Sequence, residues 1–233
     1  MERTLKSMIF TTLLFATGNG AAADTVPLPF SGKHSSPVPK MEIGKVKRLS
    51  KEELPPELKA VVEDDIAKSR KGYEDVSEEY FDYLDGYRNH LRLEDDVLPN
   101  LKLTLADIAR TEFENYEYEG MIPGGPTIAG PWTSVTRVYR RPDGVLIKLT
   151  EWNFVADGGA IVIIDEVMNK RVSGVPAFLS VKVAPSGRAI TTLTWATDKK
   201  QYTLTAEDNA RVRGARRLNN QKWLIKLAES IRN

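Results

Sequence analysis

Several groups of side chains in this 233-residue sequence have types and spacing that could do chemistry. The first is a set of carboxylates beside a tryptophan: Glu151 next to Trp152, with Asp165-Glu166 further along the chain. Two carboxylates flanking one sugar bond can serve as acid and base or as acid and nucleophile. Asp165 and Glu166 are adjacent in an expected strand, so they point to opposite faces and cannot flank the same bond. Glu151 with one of them, across neighbouring strands, is the pairing left over. Adjacent strands bring such polar residues together routinely, and the sequence favours that ordinary reading. The second group is the run Gly120-Met-Ile-Pro-Gly-Gly-Pro-Thr-Ile-Ala-Gly-Pro-Trp132. Consecutive amides at Gly124 and Gly125 are a candidate anion nest, and Trp132 a candidate stacking platform. No Lys-Ser/Thr pair follows, so this is not a phosphate-binding P-loop. The third group is basic: residues 209–228 hold six Lys and Arg and no acid, with Arg213, Arg216 and Arg217 as the candidate binding residues for an anionic surface.

Other chemistries are poorly supplied. The chain has no Cys and only two His, His34 and His90. Disulfides, thiol nucleophiles and cysteine zinc sites are excluded, and no HExxH pattern is present. Glu94-Asp95-Asp96 and Asp64-Asp65 lack the alternation of a calcium loop. There is no GxSxG elbow and no SxxK, and His90 sits near a helix end without a partner nucleophile. The aromatics Tyr80, Phe81, Tyr83, Tyr87 and Trp152 are sugar-stacking candidates. At helical spacing, Tyr80 to Tyr87 read better as packing groups. The sequence therefore calls for no metal and no cofactor. With 33 basic and 32 acidic side chains, it has no charge excess to attract nucleic acid.

The elements that must carry these residues begin with an export signal. Arg3 and Lys6 precede a short apolar run from Met8 to Ala16, and Ala21-Ala22-Ala23 supplies small residues at a cleavage site. The run is too short to span a bilayer, which takes about 20 apolar residues. Residues 1–23 are thus expected to be a cleaved secretory signal, with Asp24 as the mature N-terminus and no membrane-spanning segment in the mature chain. No Cys follows the run, so no lipid anchor is expected. Residues 24–49, with Pro27, Pro29, Pro37 and Pro39 and a basic excess, read as a flexible Pro-rich leader.

Residues 50–233 read as one α+β domain. The helical part covers 50–112: a helix from Pro55-Pro56 to Gly72, a second from Ser77 to about Arg92, and a short third from Leu105 to Glu112 capped by Thr104. The segment 50–98 is acidic, with fifteen Asp and Glu against seven Lys and Arg. From Phe113 to Ala206 the apolar period becomes two. Expected strands are Ser134–Arg140, Val145–Phe154, Ala160–Met168, Ala177–Val183, Ala189–Trp195 and Gln201–Ala206, joined by turns such as Arg141-Pro142-Asp143-Gly144. Short turns predict an antiparallel β-sheet meander, and its Thr-rich polar face predicts a sheet covered on one side. A terminal helix lies within 215–232, with Leu224, Leu227, Ala228 and Ile231 as the stripe that packs on that sheet.

The stretch Arg171–Ile231 resembles a bacterial extracytoplasmic domain of unassigned function, found in cell-envelope proteins and alongside anti-sigma-factor regulators. The resembling residues are Val172-Ser173-Gly174-Val175, Leu193-Thr194-Trp195, Tyr202-Thr203-Leu204 and Leu224–Ile231. The resemblance implies an envelope location and a sheet-plus-helix fold, and it carries over no functional residue. The expectation from the sequence is a periplasmic or secreted binding or interaction protein of the bacterial envelope. Its partner is an envelope protein or ligand of unknown identity. The alternatives are a carboxylate-dependent hydrolase of a wall or sugar polymer, and an inhibitor or immunity protein.

Overall fold

The computed structural model describes residues 42–125, 129–209 and 220–232. The α+β class is as expected, and so is the terminal helix on one sheet face. Helix α1 (Pro56–Lys71) starts at a proline, which has no N–H to lose in the first turn, and ends at Gly72 with φ +88°. Helix α2 (Glu78–Tyr87) continues as a 3-10 turn through His90, shorter than expected by the last two residues. A one-turn helix α3 (Glu94–Val97) follows.

The strands are β1 (Val46–Leu49), β2 (Glu74–Asp75), β3 (Glu117–Gly124), β4 (Ser134–Arg140), β5 (Leu146–Trp152), β6 (Ile161–Ile164), β7 (Lys170–Val172), β8 (Val175–Val183), β9 (Arg188–Ala196) and β10 (Gln201–Asn209). The last helix, α4, spans Asn220–Ser230. The main sheet runs β2-β8-β9-β10-β5-β4-β3, with β7 beside the other end of β8. All its pairings are antiparallel except β2 with β8. It is two three-stranded meanders set side by side, β3-β4-β5 and β8-β9-β10, joined where β5 pairs β10.

Four expectations change. The strand beginning at Ala160 does not join the meander: Ile161–Ile164 pairs in parallel with β1, in a separate two-stranded sheet. Residues 46–49 are therefore not leader but strand, and Leu49 is buried. The third helix is absent. Residues 104–111 form an irregular segment, and a 3-10 turn follows at Glu112–Asn115, where the Thr111 hydroxyl accepts from the Phe113 N–H. The reason is tertiary: the Ala106 and Asp107 backbone groups bond to Glu151, Arg137 and Arg232 instead of to a helical turn. Finally, the sheet is covered on both faces. One face carries Leu179, Leu193, Leu204, Leu149 and Ile147 under Leu224, Leu227 and Ala228 of α4. Over the Thr-rich face, α1 packs with β6 and Phe178, and α2 packs Tyr80 and Phe81 on Ala184 and Ile190.

Candidate functional site

Two charged constellations come together in the fold, one inside it and one open. The inner one lies on the α4 side. Strand register sets Arg137 opposite Leu149, and Glu151 opposite both Val135 and Tyr202. Arg137 and Glu151 are thus diagonal neighbours on one face, within reach of long side chains. The Arg137 Nη2 lies 2.7 Å from Glu151 Oε1, with the carboxylate fully buried and the guanidinium nearly so. Glu151 Oε2 accepts from the Ala106 N–H at 2.8 Å, while Arg137 donates to the Ala106 carbonyl at 3.1 Å. Lys200 reaches the same carboxylate at 3.4 Å and donates to the Thr104 carbonyl. This cluster ties the irregular 104–111 segment to the middle of the sheet. Tyr202 stacks on Trp195 at 5.1 Å, and burial with the nearby Glu151 charge pushes its phenol well above the ordinary value.

Glu151 was the carboxylate on which a hydrolytic pair would depend. Its proposed partners lie elsewhere: Asp165 pairs with Arg48, and Glu166 accepts from the Lys51 N–H, both at the β1–β6 sheet. The structure brings neither to Glu151. Asp64 pairs with Lys68 in α1, and His90 lies 6.2 Å from the Tyr87 ring. Among the described residues no His, Asp and Glu group has the geometry to hold a metal.

The glycine run is largely strand. Gly120 to Gly124 belong to β3, and Gly124 pairs with Ser134 in the β3–β4 ladder. Neither Gly124 nor Gly125 has a positive φ, so the left-handed step of an anion nest is not made there. Space explains the residue type instead: a Cβ at Gly124 would fall 2.6 Å from Ser134 Oγ, and one at Gly125 would fall 3.1 Å from the Thr133 nitrogen. Trp132 is no open platform. It is buried with Val97, Leu103, Met121 and Val135, and the Arg92 guanidinium lies 5.1 Å from its ring centroid. Pro126–Ile128 and the basic residues Arg213, Arg216 and Arg217 fall outside the described residues.

The open constellation is a cleft of about 260 Å³ between α2 and the ends of β4, β5, β9 and β10. Sequence reasoning did not single it out. Its walls include Phe81, Asp85, Arg88, Arg140, Arg188 and Glu207. Helix α2 is held there at its first turn, where Glu78 accepts from the Ser186 N–H at 2.6 Å and the Ser186 hydroxyl at 2.8 Å. Near its end, Asp85 accepts from Arg188 at 3.0 Å, and the Arg188 guanidinium lies 4.7 Å from the Phe81 ring centroid. Arg88 and Arg140 converge on one acceptor: Glu119 is 3.4 Å from Arg88 and also pairs with Arg140. Glu207 is taken by Lys148 from β5. No linear motif links Arg88, Arg140 and Arg188; each was inconspicuous in its own element, and only the strand order unites them.

No protein-family model, curated protein or solved structure matches this chain. Among the described residues, no helix is long and apolar enough to cross a membrane.

Proposed function

We propose that the chain is an exported binding or interaction protein of the bacterial envelope that performs no catalysis of its own. One observation carries the choice against the hydrolase. Glu151, the carboxylate that reading needs, is fully buried and engaged by Arg137, Lys200 and the Ala106 amide, while Asp165 and Glu166 belong to another sheet. A carboxylate so held meets neither substrate nor water. Export rests on the basic, apolar and small-residue pattern of residues 1–23, and on the envelope resemblance of Arg171–Ile231. The open charged cleft is the feature that suits binding of a small polar solute.

The test has two arms. Fractionation of expressing cells with N-terminal sequencing is expected to give periplasmic or secreted protein beginning at Asp24; cytoplasmic protein retaining Met1 would refute export. Incubation of purified protein with cell wall and with soluble polysaccharides is expected to release no reducing ends. Release that disappears in Glu151→Gln would restore the hydrolase.

A further inference from the structure

We propose that the cleft beside α2 is a binding site for a small solute bearing an oxyanion, carboxylate or phosphate, gripped by Arg88 and Arg140 with Arg188 as the third wall. The proposal deepens the binding reading above and rests on it. The argument starts from donor supply. A guanidinium offers five N–H donors in a planar fork that matches an oxyanion. Arg88 and Arg140 share the single carboxylate of Glu119, so this end of the cleft holds one more positive charge than its local acceptor neutralises. The Arg88 contact to Glu119 is long, 3.4 Å, and Arg88 Nε is buried with no hydrogen-bond partner among the described residues. Leaving such a group unsatisfied is costly, so Arg88 has donor capacity that the protein does not use.

The other charges facing the cleft are largely spoken for. Asp85 is paired with Arg188, and Glu207 with Lys148. Asp208 touches the cleft too, but it alternates with Glu207 along β10, and its charge acts on Arg141. The cleft's volume, about 260 Å³, lies just below the usual range of small-molecule pockets, about 300–1,000 Å³, and suits a small acid. The arginines are part-exposed, about a third for Arg88 and Arg140, so the pairs they give up contribute only about 0–1 kcal/mol each. Phe81 and Leu146 supply an apolar floor for the rest of the solute.

The test is calorimetric titration and thermal shift of the mature full chain with sodium phosphate and with sodium succinate, at ionic strength matched with chloride. A saturable response to at least one oxyanion that chloride does not give is expected, and the arm that responds identifies the group. Arg88→Gln and Arg140→Gln should each weaken the response about tenfold or more, the loss of a charge-assisted hydrogen bond. Arg88→Lys should recover only part, because it keeps the charge and loses the fork. Both arginines are part-exposed, and far-ultraviolet circular dichroism checks that each variant is folded. No response to either oxyanion up to 10 mM-scale concentrations, on the order of the weakest binding that ordinary affinities span, would overturn the site. So would a response unchanged in both Gln variants, an adventitious ion only. A separate screen of cationic and neutral solutes distinguishes the two failures: a hit there, with none for oxyanions, sinks the site and leaves the binding reading standing.

Discussion

Replacing Glu151 tests whether the buried cluster is a structural lock. In Glu151→Leu the carboxylate disappears and Arg137, only about 6% exposed, keeps its charge with only neutral oxygens, the Ala106 carbonyl at 3.1 Å and the Tyr139 hydroxyl, beside it. Removing one partner of a buried ion pair typically costs about 3–5 kcal/mol, because the survivor stays desolvated. The Ala106 N–H also loses its acceptor, a term of about 1–3 kcal/mol that overlaps with the first because the segment can relax. For a domain of this size, 1 kcal/mol moves the melting temperature by about 2–4 °C, so a fall of roughly 6–20 °C is expected. Arg137→Met should cost less, because Lys200 and the Ala106 N–H still hold the Glu151 carboxylate. The double variant, Arg137→Met with Glu151→Leu, should recover most of the loss, since an apolar pair of similar volume is often neutral or better.

The measurement is urea unfolding followed by tryptophan fluorescence, with the midpoint compared at constant slope. The double-mutant cycle gives the coupling, expected at about 1 kcal/mol or more for side chains in direct contact. Amide exchange at Ala106 to Arg110 should accelerate in every Glu151 variant, because the segment's anchor is gone. Single variants costing less than about 1 kcal/mol, or strictly additive ones, would refute the lock.

Three further outcomes are expected. Leu224→Ala, at a fully buried position of α4 against the Leu204 and Leu193 core, should cost about 2–5 kcal/mol by chemical denaturation; a cost near zero would mean that α4 does not seal that face. Burial opposes the charge of Glu74, but the hydrogen bonds and charges of Lys182 and Lys68 outweigh it and hold the carboxyl below 4.5. Its contribution is therefore full above about pH 4.5 and lost as pH falls through the folded value, so Glu74→Gln should flatten the acid limb of stability against pH; an unchanged limb would refute the pairing. Burial lifts the Tyr80 and Tyr202 phenols above 10.0, so their contribution is present below that pH and lost as it rises; phenolate absorbance should climb together with alkaline unfolding, and half-titration near pH 10 in folded protein would contradict their burial.

The parts of this fold that could be read from sequence are those where neighbouring residues decide. Pro56 and Gly72 bracket α1 because a missing N–H and a positive φ are local properties. Ser134–Arg140 matches its strand to the residue, because β-branched and aromatic residues fill it and the Arg141–Gly144 turn marks its end. The failures mark the opposite case. Leu105, Ile108 and Ala109 have helical spacing, yet the backbone beside them bonds to Glu151 and Arg232, far away in sequence. Ile161–Ile164 is apolar at every position, so periodicity gives it a strand but no face and no partner; its pairing with Val46–Leu49 was not readable. The cleft was illegible for the same reason. Arg88, Arg140 and Arg188 come from three elements, and nothing local distinguishes them from any surface arginine.

The polar residues buried in the sheet also answer a problem the fold creates for itself. A strand with one wet face is held in register by alternation, since a one-residue slip would expose its whole apolar set. Strand β5 has no wet face: Ile147, Leu149 and Glu151 lie under α4 and the 104–111 segment, and Leu146 and Lys148 are buried on the other side. Apolar alternation alone therefore discriminates poorly between registers. Charges discriminate well, because a stranded one costs several kcal/mol. In the observed register Glu151 meets Arg137 from β4, and Lys148 meets Glu207 from β10. A slip of one residue on either side would send both ions to the wrong face and strand four charges at once. Each pair ties β5 to a different neighbour: Arg137 fixes it within its own meander, and Glu207 fixes it across the joint, where no short turn sets the alignment. The same joint brings Arg140 from one meander and Arg188 from the other to the edge of a single cleft. Register at β5 is thus a condition for the cleft to exist. Variants that exchange Lys148 and Glu207 should keep both the pair and the cleft, whereas Lys148→Glu alone should lose both.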